Sequence, residues 1–131
     1  VYIMKFNSLI PELSVSNIEK SKEFYLELGF EIKYSRKEDK FYFLQLEDNQ
    51  LMIQETNNNW NVGKLEYPYG RGINISMTVK DIDKMYANLK SKNIKFFLEL
   101  ESHEYRVDNE ISCDKEFLIQ DPDGYLLRFN N

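Results

Sequence analysis

Few residues in this chain of 131 are equipped for covalent or metal chemistry. The one histidine, His103, sits in the polar run Ser102-His103-Glu104, where an imidazole is ordinarily solvated surface. The one cysteine, Cys113, has no histidine beside it and no glycine-rich context, so it reads as an inert thiol. A single cysteine also excludes an internal disulfide and a four-cysteine zinc site. No nucleophile elbow, dinucleotide fingerprint or zinc spacing occurs, and Gly70-Arg71-Gly72 is too short for a phosphate loop. What remains suits recognition: nine Tyr, nine Phe and one Trp, a 15% aromatic share, supply flat rings of the kind that line ligand clefts. Trp60, in an Asn-rich loop, is the leading candidate for stacking on a ligand, with packing of the loop onto a sheet or a partner subunit as the alternative. Tyr105, followed by Arg106, is placed to close over a ligand.

Charge narrows the partner. Lys and Arg total 17 against 22 Asp and Glu, a net charge of −5, whereas nucleic-acid binders show a basic face. A cationic or aromatic small molecule is the expected partner, with no nucleic acid and no membrane. The sequence shows no secretory leader and no long apolar run, so the expected location is the cytoplasm. Met4 reads equally as the natural start, with Val1-Tyr2-Ile3 a remnant, or as an internal residue after three native ones.

The elements that must position these residues are written twice. Ser14-Val15-Ser16-Asn17-Ile18-Glu19-Lys20 is echoed by Thr78-Val79-Lys80-Asp81-Ile82-Asp83-Lys84, and Tyr25, Gly29 and Phe30 are matched by Leu89, Asn93 and Ile94. Half a chain this short buries a poor core, so the expectation is a single domain over 1–131, with a ligand crevice between its two halves. Unit one spans about 4–55, a loop covers 56–70, and unit two spans about 71–131. In unit one a strand over 5–15 leads to a helix capped by Ser16 or Asn17, with Ile18, Phe24, Tyr25 and Leu28 inward and Gly29 at its end. Three strands follow, near 30–36, 40–47 and 50–55. In unit two a strand over 72–79 and an Asp81-capped helix ended by Asn93 precede strands near 94–100, 116–120 and 125–129. Residues 102–113 read as irregular, and with the loop 56–70 form a pair of candidate lids. The fold class is therefore α+β, two βαβββ units with curled, cup-shaped mixed sheets and helices on the convex side.

Alternation assigns faces, because successive strand residues point to opposite sides. Ile75, Met77 and Val79 pack inward, as do Tyr125, Leu127 and Phe129, which leaves Asn74 and Arg128 facing the cup. Glu12 and Met52 face the cup from the first unit. Phe41 and Phe43 join them if they lie opposite Tyr42, Leu44 and Leu46.

The paired βαβββ units, the opening at Leu13 to Ser21 and the turn Asp121-Pro122-Asp123-Gly124-Tyr125 together resemble the vicinal-oxygen-chelate family, which includes glyoxalases, extradiol dioxygenases, fosfomycin-modifying enzymes and bleomycin-resistance proteins. The resemblance implies four cup-facing positions that carry His or Glu in metal-dependent members. By register these are Ile10, Met52, Asn74 and Arg128, and none is a usual ligand in that setting. Arg128 then either replaces the metal's charge or pairs with Glu12. A metal-free cup is similar to the bleomycin-resistance proteins, which the resemblance describes as homodimers that hold the drug unaltered. The loop from Trp60 through Tyr67-Pro68-Tyr69-Gly70 and the ending Tyr125-Leu126-Leu127-Arg128-Phe129 look like that subfamily.

The expected function is noncatalytic binding of a small molecule, of the bleomycin-sequestering kind that confers antibiotic resistance, without cofactor or metal. The opposing expectation is an enzyme, a glyoxalase- or dioxygenase-type lyase or oxygenase, with a divalent ion on unusual ligands such as Glu12 and His103. A third is a cup filled by its own side chains and serving assembly.

Overall fold

The computed structural model describes residues 4–131, so Val1–Ile3 and the choice of start lie outside the described residues. The chain divides into two compact units, 1–65 and 66–131, which follow the sequence repeat. Unit one comprises strand β1 (Glu12–Val15), helix α1 (Ile18–Leu28) and strands β2 (Glu31–Arg36), β3 (Phe41–Leu46) and β4 (Asn49–Glu55). Its sheet runs β1-β4-β3-β2, with β1 parallel to β4 and the other pairs antiparallel. Unit two comprises β5 (Asn74–Thr78), α2 (Ile82–Ser91), β6 (Leu98–Val107), β7 (Glu110–Gln120) and β8 (Leu126–Asn130), in the order β5-β8-β7-β6 with β5 parallel to β8. The fold is α+β: two βαβββ units with open, curled mixed sheets. Among the described residues no helix is long and apolar enough to cross a membrane.

Local sequence chemistry builds each helix. The Asn17 side chain accepts from Lys20 N and the Asp81 side chain from Lys84 N, each satisfying an amide that the first turn leaves without a partner. Gly29, at φ 110°, and Asn93, at φ 59°, turn the chain left-handed, so that Phe30 N and Ile94 N reach back to Tyr25 O and Leu89 O. Helix α1 buries Ile18, Ser21, Tyr25 and Leu28, so Ser21 takes the inward place expected of Phe24, in keeping with the 3–4–3 spacing. The α1-facing side of the first sheet is marked by Tyr42, whose hydroxyl donates to Glu19 Oε1 at 3.0 Å, with Leu13, Val15, Leu44, Leu51 and Ile53 buried beside it. In unit two Lys115 Nζ meets Asp83 on α2 at 3.0 Å, and Phe117 stacks on Phe129 at 5.3 Å in the core.

Glu55 ties the end of β4 to the start of α1. Its Oε2 accepts from Ile18 N at 3.2 Å and its Oε1 meets Lys40 Nζ at 3.1 Å. The amide hydrogen bond first, and Lys40 second, hold this carboxyl below its ordinary value. A depressed carboxylate contributes stability that is present at neutral pH and lost as pH falls through the folded-state value. Glu55→Gln keeps an acceptor for Ile18 N but removes the charge beside the helix start and Lys40, so it is expected to cost about 0.5 kcal/mol at neutral pH and less in acid. Urea midpoints of both proteins at neutral and acidic pH check this; an equal gap at both values would contradict it.

Two elements differ from expectation. The strand predicted over 5–15 begins only at Glu12, because Pro11 lacks the amide that would extend the ladder. Upstream, Asn7 N donates to Gln50 Oε1 and Gln50 Nε2 donates to Lys5 O, so that segment lies along the Gln50 end of β4. The stretch 102–113, predicted irregular, is a hairpin: β6 and β7 pair from Glu101↔Glu116 to Val107↔Glu110 around the tight turn at Asp108-Asn109. Strand β8 reaches only as far as Glu116, so among the described residues the outer part of this ribbon has no third strand.

Candidate functional site

Each sheet has one face away from its helix, and there the register gathers most of the candidate residues. In unit one Glu12 lies opposite Met52, Met52 opposite Phe43, and Phe43 opposite Tyr34, a row running across all four strands. Phe41 is next along β3, paired with Arg36 on one side and Gln54 on the other. The alternation argument thus places Phe41 and Phe43 opposite Tyr42 and Leu44. Both rings are nonetheless buried: Phe43 stacks on Tyr34 at 5.0 Å and meets Phe6 edge-on at 5.4 Å, and the Arg36 guanidinium lies 4.0 Å over Phe41. Phe6, 53% exposed, contributes aromatic surface here that sequence reasoning missed, because its segment was assigned to a strand.

In unit two, Asn74 and Ser76 on β5 lie opposite Leu126 and Arg128 on β8, and Leu118 lies across from Arg128 on β7. Arg128 Nε donates to Glu116 Oε2, so the carboxylate it meets is one strand over in its own sheet and is not Glu12, the partner that one of the two alternatives named. The other oxygen of Glu116 lies 3.2 Å from His103 Nε2, and Glu101 Oε2 lies at the same distance from that nitrogen. Neither carboxylate is aligned for a hydrogen bond, and Nε2 is shut off from water between them. His103 is therefore a strand residue with a sequestered nitrogen, a correction to its reading as solvated loop. No pattern in the sequence marks this group, because Glu101, Ser102, His103 and Glu104 are polar on both faces of the strand.

The remaining candidates stand elsewhere. Trp60 lies in the loop after β4, 72% exposed and without an aromatic partner among the described residues. Tyr105 is on β6 opposite Ser112, half exposed, so the expected closing loop around it is a paired ribbon.

The chain matches the model of the Glyoxalase/Bleomycin resistance protein/Dioxygenase superfamily over residues 5–129. It belongs to that superfamily. Among solved structures it is similar to TioX from Micromonospora sp. ML1 (TM-score 0.75, 13% identity, 96% of this chain and 98% of that one). It also resembles a glyoxalase/bleomycin resistance protein/dioxygenase from Alicyclobacillus acidocaldarius (0.67, 22%, 95% and 89%). A third likeness is a bleomycin-binding protein complexed with bleomycin (0.66, 21%, 96% and 98%). No curated protein is significantly similar to the chain.

Membership raises the question of a metal, and the chemistry of the donor set answers it. Met52, Asn74 and Arg128 lie where the family resemblance puts ligands, and Ile10 precedes β1. A thioether, an amide, a guanidinium and a hydrocarbon do not make a site for a divalent ion. Among the described residues no group of three His, Cys, Asp or Glu side chains is arranged to hold one. The two sheets carry different groups: an aromatic face on one, and on the other a guanidinium paired with a carboxylate, with Ser76 opposite it and Asn74 next along β5.

Proposed function

We propose that the protein binds a cationic or aromatic small molecule without transforming it, and that its ligand is an antibiotic of the bleomycin type. The observation that carries the reading is the donor set Ile10, Met52, Asn74 and Arg128, which removes the metal chemistry of the family's enzymes from the positions where it would occur. The net charge of −5 favours approach of a cation, and the exposed ring of Trp60 offers a face for a planar group. The solved bleomycin-binding protein shares the fold at 21% identity, which supports the ligand class. In this reading the chain acts as one domain, cytoplasmic and homodimeric, and confers antibiotic resistance. Glu12 and Met52, above Phe41 and Phe43, form the binding face of unit one with Trp60 in the loop after it, and Asn74, Arg128 and Tyr105 form that of unit two.

Bleomycin titrated into metal-stripped protein is expected to quench the single tryptophan saturably at micromolar concentration or below. Arg128→Ala and Asn74→Ala are each expected to weaken binding about tenfold, the value of one good polar contact. No response, together with about one transition metal per chain by elemental analysis, would overturn the proposal. Unchanged affinity in both variants would remove these two residues from the site.

A further inference from the structure

Three segments of unit two meet at the Gln120 end of β7 and border a hollow of about 290 Å³, lined by Tyr67, Lys95, Phe96, Phe97, Gln120 and Asp121. Its walls are held by the backbone. Phe97 N donates to Leu118 O, Tyr69 N donates to Asp123 O, and Asp121 Oδ1 accepts from both Asp123 N and Tyr125 N. Phe96 is anchored against Tyr86 and Phe117 at 5.0 and 5.4 Å. Its neighbours are not so hidden: Tyr67 is 64% and Phe97 61% exposed, two large rings bordering one hollow. The accessible charge has one sign. Asp121 is 3% exposed, with Oδ1 accepting from two amides, whereas Lys95 is exposed and has no ion-pair partner among the described residues.

We infer that this hollow is a second ligand site, for a small planar aromatic carboxylate whose ring lies against Tyr67 and Phe97 and whose carboxylate meets the Lys95 ammonium. A lone ammonium matches a monoanion; a phosphate dianion is ordinarily met by several cations or by a helix N-terminus. The volume is at the small end for ligand pockets and admits one or two fused rings. This site does not depend on the bleomycin reading, since it uses none of the residues assigned there.

The test is an amide-resolved NMR titration of the full chain with naphthalene-2-carboxylate, and in parallel with the uncharged 2-naphthylmethanol. The expected result is saturable shifts confined to the amides of residues 95–98 and 120–125, with the carboxylate the tighter ligand. Lys95→Gln should weaken the carboxylate about fivefold, near the upper value for an exposed ion pair, and leave the alcohol unchanged. Phe97→Ala should weaken both. Lys95 and Phe97 are exposed, and the spectrum itself reports whether each variant is folded. The inference is overturned if no shift saturates by about 10 mM, if the alcohol binds as well as the carboxylate, or if the shifts centre on Asn74, Arg128 or Trp60.

Discussion

Gly124→Ala is expected to destabilise the protein by about 3 kcal/mol or more, through two costs that add. The first is conformational: Gly124 has φ 97°, where an L side chain is strained by about 1–2 kcal/mol. The second is steric. A Cβ at this position would fall 2.5 Å from Pro68 Cβ and 2.6 Å from Pro68 Cα, with Tyr67 Cε2 at 3.1 Å. Backbone and a proline ring cannot swing aside, so the turn must open, which pulls on the bond from Tyr69 N to Asp123 O and on the two amides held by Asp121. Gly72 separates the two costs: its φ is 85°, but nothing lies within 4 Å of the added carbon. Gly72→Ala should therefore lose only the conformational part, about 1 kcal/mol. Urea midpoints of the two variants against the parent protein check this, and equal midpoints for both would refute the steric argument.

Phe43→Ala is expected to cost about 3–5 kcal/mol, the range for deleting a fully buried aromatic ring. Phe43 has no exposed surface although it lies on the face away from α1, because Tyr34 stacks on it with planes 17° apart and Phe6 closes its edge. The gap left by alanine would adjoin Met52 across the strand pair, and a β-sheet relaxes little around such a hole. Phe43→Leu retains most of the volume and should cost a fraction of that. The pair also separates support from contact. If the leucine variant keeps nearly full stability and binds bleomycin as the parent does, the ring supports the face; if it is stable and binds poorly, the ring touches the ligand. A Phe43→Ala protein as stable as the parent would show that the observed burial is not where the stability of this unit resides.

What could be read in advance follows from distance along the chain. The helix start at Asp81 and the left-handed ends at Gly29 and Asn93 are decided by groups three to five residues away, so they are local chemistry and are found where expected; for the first helix the sequence leaves Ser16 and Asn17 as alternatives, and Asn17 is the cap. The faces of Glu12, Met52, Asn74 and Arg128 follow from period-two alternation in strands that the repeat identifies twice. The outer part of the β6–β7 ribbon was not legible in this way. Glu101, Ser102, His103 and Glu104 put polar groups on both sides, so alternation carries no signal, and the Asp108-Asn109 turn becomes meaningful only once both flanks are known to pair.

Nearest neighbours and periodicity are enough to read the two βαβββ units, the helix ends to within a residue, and the strand residues that lie away from the helices. Tertiary structure alone decided that Arg128 meets Glu116 and Glu116 meets His103, that Phe41 and Phe43 are covered while Trp60 stays exposed, and that Gly124 must lack a side chain because Pro68 lies against it. Each of these sets the register of one strand or loop against another far along the chain. A side chain's partner across a sheet is fixed by the hydrogen-bond ladder, which no local pattern encodes.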